Sequence, residues 1–169
     1  VIGAMAVPPI MYARRSSMEA AVVASLRAIA SAQRVYSITC ADGAYATALS
    51  QLGRPPLRGG APFISPDMAV ADTVVKSGYA FRVARGTDGD SGVEPACNGV
   101  AAADLATSFY AVAVPVNDGS SRARHYWLGA HGGIFVHRLP ITDTDGFSVA
   151  PGGVPVGTQG PVAAPAGRP

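Results

Sequence analysis

Between Met18 and about Thr39 the apolar positions fall at Val22, Leu26, Ile29 and Tyr36, with Gln33 in the same row. Steps of four and three place them on one face of a helix. Alanine, the strongest helix former, fills much of the rest. A helix from about Arg14 to Thr39 would be roughly 39 Å long, and its apolar stripe needs a sheet or a second helix to cover it. Asp42-Gly43 predicts the turn that ends it. YATALSQLG then reads as a short second helix, apolar on one side from Ala44 to Leu52 and stopped by Gly53. RPPLRGGAPFISPD follows as a long Pro/Gly loop over the surface.

Further along, the period changes to two. In YAFRVAR, Tyr79, Phe81 and Val83 alternate against Ala80, Arg82 and Ala84, the pattern of a half-buried strand. SFYAVAVP (108–115), RHYWLG (124–129) and GIFVH (133–137) predict three more strands, joined by VNDGSS and GAHGG, short Gly-containing connections expected of antiparallel hairpins. The expected fold class is α+β: a long N-terminal helix packed on a three- to four-stranded antiparallel sheet. Beyond Arg138 the chain turns to proline, glycine and small residues, and by itself such a tail is flexible or polyproline-like.

The first stretch, VIGAMAVPPIMYARR, is apolar and then abruptly basic. It is too short to span a bilayer, which takes about 20 residues. Two adjacent prolines, Pro8 and Pro9, predict that a continuous helix loosens there, since a proline inside a helix removes a hydrogen bond and clashes with the preceding turn. Arg14 and Arg15 mark emergence toward solvent.

Composition narrows the function. The 169 residues suit one domain; they are 49% hydrophobic and 14% charged, with a net charge of +2. The basic residues are scattered, so no nucleic-acid partner is expected. No nucleophile elbow or HExxH occurs, and GDSG has no His–Asp pair placed to serve Ser91, so no enzyme and no cofactor is expected. His125, His131 and His137 recur every six residues, but GAHGG interrupts the strand that would align them, and no metal site is assigned. Asp88, Asp90, Asp143 and Asp145 resemble fragments of calcium loops without the complete twelve-residue loop, which favours a turn-forming role. Loop serines and threonines offer sites for O-glycans. Cys40 and Cys97 are the entire thiol inventory. They fit either one disulfide or two buried thiols, and the loop setting of Cys97 favours the disulfide.

VIGAMAVP, MEAAVVASLRAIASAQRVY and TCADGAYATALSQLG together resemble the start of bacterial type IV pilins and the related type II secretion pseudopilins. FISPDM, KSGYAFRV, the cysteine in ACNG, SFYAVAVPV and RHYWLGAHGGIF resemble the globular head of such a pilin, in the same order, so that the resemblance covers roughly Val1 to Val136. It implies an N-terminal helix and assembly segment (1–40), a globular head (41–138) and a divergent Pro/Gly-rich tail (139–169). It also implies about a dozen further residues before Val1, including the family's aromatic first residue and glutamate. The function implied is a structural subunit of an extracellular type IV pilus filament. The partner would be the chain itself in a helical homopolymer, with the inner-membrane pilus assembly machinery beforehand. The assembly residues would be Val1, Ile2, Met5, Val7, Pro8, Pro9, Ile10, Met11, Val22, Leu26, Ile29 and Tyr36. Alternatives are a pseudopilin of a type II secretion system and an anchored extracytoplasmic binding module.

Overall fold

A computed structural model describes residues 7–117, 124–138, 140–141 and 153–156, with the backbone but not the side chains described over 7–15. The first described element is helix α1 (Val7–Thr39), 33 residues long. Pro8 and Pro9 have helical backbone, so the loosening expected there is not seen in the described residues. At its other end the chain turns out of the helix through Asp42 and Gly43, both in the left-handed region, and the Gly43 N–H returns to the Ser37 carbonyl at 2.9 Å.

The segment expected as one short helix divides into two elements. Tyr45–Ala46 forms β1, and only Leu49–Leu52 is helical, as α2. The reason is Gln33, fully buried on α1, whose side chain accepts from the Ala46 N–H at 3.0 Å and donates to the Ala46 carbonyl at 2.7 Å. Those two bonds hold Ala46 extended.

Six strands make the main sheet: β2 (Thr73–Lys76), β3 (Tyr79–Arg85), β5 (Phe109–Pro115), β6 (His125–Gly129), β7 (Ile134–His137) and β8 (Val154–Pro155). They lie in the order β2-β3-β5-β6-β7-β8, every neighbouring pair antiparallel. Strand β4 (Leu105–Ala106) pairs with β1 in a separate two-stranded ribbon. The expected three or four strands are therefore too few. β3, β5, β6 and β7 match the four predicted runs, while both edge strands add to them. β2 reaches β3 through Ser77 and Gly78, both at positive φ, the backbone of a tight two-residue hairpin. β8 comes from the Pro/Gly-rich tail. Pro155 is acceptable because this is an edge strand, and the Val156 N–H continues the ladder to the Ile134 carbonyl at 2.8 Å.

Helix α1 lies against one face of the sheet. Val22, Leu26, Ile29 and Tyr36 are 0% exposed and share one core with Phe81, Val83, Phe109 and Leu128. On β5 the inward residues are Ala111 and Ala113, both 0% exposed, small enough for the helix to approach the middle of the sheet. Each large side chain removed from water here contributes about 1.5–3 kcal/mol. The opposite sheet face carries a smaller cluster of Tyr110 and Trp127, packed with Val112, Phe135 and Ile141. The hairpin linking β5 to β6 has residues 118–123 outside the described set, as do Asp143 and Asp145.

Candidate assembly surface

The two faces of α1 have different roles. The buried row (Val22, Leu26, Ile29, Gln33, Tyr36) is occupied within the chain. At 100° per residue the opposite direction falls on Ala20, Ala24, Ala28, Ser31, Val35 and Ile38, all exposed, the last two by 48% and 72%. This corrects the expected assembly set. Val22, Leu26, Ile29 and Tyr36 cannot face another subunit while they are sealed under their own sheet. The outward stripe was legible as alanines at steps of four, 20, 24 and 28, a signal read merely as helix propensity. Of the other expected assembly residues, Val7, Pro8, Pro9, Ile10 and Met11 have helical backbone, whereas Val1, Ile2 and Met5 lie outside the described residues.

A clamp fixes the base of the helix. Cys40 and Cys97 form a disulfide that closes a separation of 57 residues. The Cys97 N–H also donates to the Cys40 carbonyl at 2.8 Å. Beside it the buried Asn98 accepts from the Tyr36 hydroxyl at 3.1 Å and donates to the carbonyls of Gln51 at 2.9 Å and Arg54 at 3.3 Å. One asparagine thus ties the helix, α2 and the cysteine loop together. Burial pushes the Tyr36 hydroxyl up to about 12, against the opposing effects of Asn98 and Arg54. Sequence pattern could not single out Asn98, because its partners are backbone carbonyls distant in the chain.

Two grooves flank the helix. One, about 390 Å³, runs between the N-terminal part of α1 and the β6-β7-β8 side of the sheet. Arg124 donates to Glu19 across it at 2.9 Å, with side chains 39% and 20% exposed. Tyr126 in its wall is pushed up to about 12, mainly by burial and then by the charge of Glu19. The other, about 530 Å³, lies between the C-terminal half of α1 and the β6–β7 turn.

His125 and His137 do meet. They stand opposite each other in the β6–β7 register, because a hairpin aligns residues that an unbroken strand would not. Burial, aided by His125, holds His137 below the ordinary imidazole value. Even so, among the described residues no three His, Cys, Asp or Glu side chains gather to hold a metal ion. Asp88 accepts from the Ser108 hydroxyl at 2.7 Å. Among the described residues no helix is long and apolar enough to cross a membrane.

These features define an α+β domain whose helix α1 packs on antiparallel sheet with one face and presents small and aliphatic side chains on the other. No protein-family model matches the chain, no curated protein is similar to it, and no solved structure matches it.

Proposed function

We propose that this chain is the structural subunit of an extracellular type IV pilus filament, polymerising through its apolar N-terminal helix. The observation that carries the reading is the two-faced α1. A helix that has satisfied its own core and still exposes Val35, Ile38 and a row of alanines is suited to packing against other helices, because small residues let backbones approach closely. The disulfide fits an oxidising, extracytoplasmic setting. The chain bonds that lock the head onto the helix base fit a subunit that must keep its shape under load. Contacts between unlike faces of identical subunits generate a helical filament when the rotation from one copy to the next does not close into a ring.

Electron microscopy of the full chain after transfer from detergent into buffer tests the reading. Long helical filaments are expected, and Ala28→Glu, on the outward stripe, should abolish them while leaving the head folded and its disulfide formed. A stable monomer under these conditions would overturn it and favour an anchored binding module. Uniformly short assemblies would favour a pseudopilin.

A further inference from the structure

We infer that the 530 Å³ groove beside the C-terminal half of α1 receives the Val93 loop of a second copy of this chain. This rests on the filament reading and names the contact that would join one head to the next. Ala30, Ile38, Tyr45 and Phe109 give the groove apolar walls. Arg34 and His131 supply polar groups at its rim, and no carboxylate lines it among the described residues. Ser31 and Ile38 belong both to this groove and to the outward stripe of α1, so the two surfaces are continuous.

The matching part is carried by the same molecule. Between β3 and β4 the chain exposes Val93 by 87%, more than any other large hydrophobic side chain among the described residues. Asp90 and Glu94, both exposed, flank it. An aliphatic knob between carboxylates is complementary to an apolar groove edged by arginine. The knob is also held in place. Arg85 donates to the Ser91 hydroxyl at 3.3 Å and to the Ala103 carbonyl at 2.7 Å. Asp90 and Thr107 exchange two bonds of 2.9 Å, and the Gly92 N–H reaches the Ala102 carbonyl at 3.0 Å. A loop fixed beforehand loses little freedom on docking.

β3 ends at Arg85 opposite Phe109, where β5 begins, and β6 ends at Gly129 opposite Tyr110. Loop and groove therefore sit at the same end of the sheet, on either side of β5. Val93, being exposed, does not fill the groove of its own subunit, which stays open among the described residues.

Charge reversal gives a test that a folding defect cannot imitate. Arg34→Glu places a carboxylate opposite Glu94, and Glu94→Arg places two guanidinium groups opposite each other. Each variant alone should raise the critical concentration for polymerisation about tenfold or more, measured by sedimentation of the full chain after detergent removal. Mixed in equal amounts, the two variants restore opposite charges at every contact and should polymerise near the wild-type concentration. Val93→Ser should weaken assembly without rescue by either charge variant. Circular dichroism and a non-reducing gel establish that each head is folded. Wild-type filaments that both single variants reproduce unchanged would overturn the docking inference while leaving the filament reading intact. So would a mixture no better than its components, which would assign the groove to a different occupant. Failure of the wild type to polymerise removes the filament reading and the inference with it.

Discussion

Replacing Asn98 with alanine should loosen the whole base of the helix. Asn98 is 4% exposed, and it joins Tyr36, itself 0% exposed, to the Gln51 and Arg54 carbonyls through bonds of 3.1, 2.9 and 3.3 Å. Asn98→Ala leaves one buried hydroxyl without its acceptor and two carbonyls without this donor. An orphaned buried group such as the Tyr36 hydroxyl costs about 1–3 kcal/mol; the Gln51 carbonyl keeps the Arg54 N–H and Arg54 is exposed, so the two carbonyls together add about 1 kcal/mol. The expected loss is therefore about 2–4 kcal/mol, a large part of the roughly 5–15 kcal/mol available to a domain. Urea unfolding with the disulfide intact measures it. With a slope of about 2 kcal/mol per molar, the midpoint should fall by about 1–2 M at unchanged slope. Tyr36→Phe removes just one of the three bonds and should cost about 1–2 kcal/mol. A loss below about 1 kcal/mol for Asn98→Ala, or a larger loss for Tyr36→Phe than for Asn98→Ala, would refute the clamp.

Three further outcomes are expected. Replacing Cys40 and Cys97 together by serine releases a constraint across 57 residues and should cost about 4 kcal/mol in the chain-entropy picture, read as a lowered melting temperature; an unchanged melting temperature would contradict it. Tyr36 and Tyr126 ionise near 12 in the folded chain against 10 when unfolded, so their contribution is complete below pH 10 and lost as the pH rises from 10 to 12. His137 is shifted the other way, so its contribution is present above the ordinary imidazole value and lost as the pH falls below it. Stability measured against pH should decline on both sides, and an ultraviolet titration in which all six tyrosines ionise together near 10 would contradict the alkaline limb. Gly53→Ala would put a methyl group 2.3 Å from the Ala69 Cβ, and should destabilise by about 1–3 kcal/mol, visible in the same urea assay; a neutral substitution would show that this loop can retreat.

The strands with clean alternation were legible: Tyr79, Phe81 and Val83 point inward as their period demands, and so do Phe109, Ala111 and Ala113. The edges were not. Thr73–Lys76 has one buried residue, Val74, beside the 64% exposed Val75, so no alternation marks it, although Ser77-Gly78 was a turn signal. Val154–Pro155 is a strand because β7 offers it a free edge, a tertiary fact that composition conceals. Gln33 stood in the apolar row of α1, yet its purpose emerged with the Ala46 backbone it holds. The helix periodicity was read correctly, but its buried row was assigned to assembly. One stripe cannot serve both the core and a neighbouring subunit, and it is the reverse side of α1 that is exposed.

The filament account turns on that reverse side. Image reconstruction of the polymerised full chain, at a resolution that traces α1, is the most direct measurement. The account predicts a helical filament with Ala20, Ala24, Ala28, Ser31, Val35 and Ile38 buried against neighbouring subunits and the sheet outward. A chain that remains monomeric without detergent, or a polymer in which this stripe still faces solvent, would contradict it.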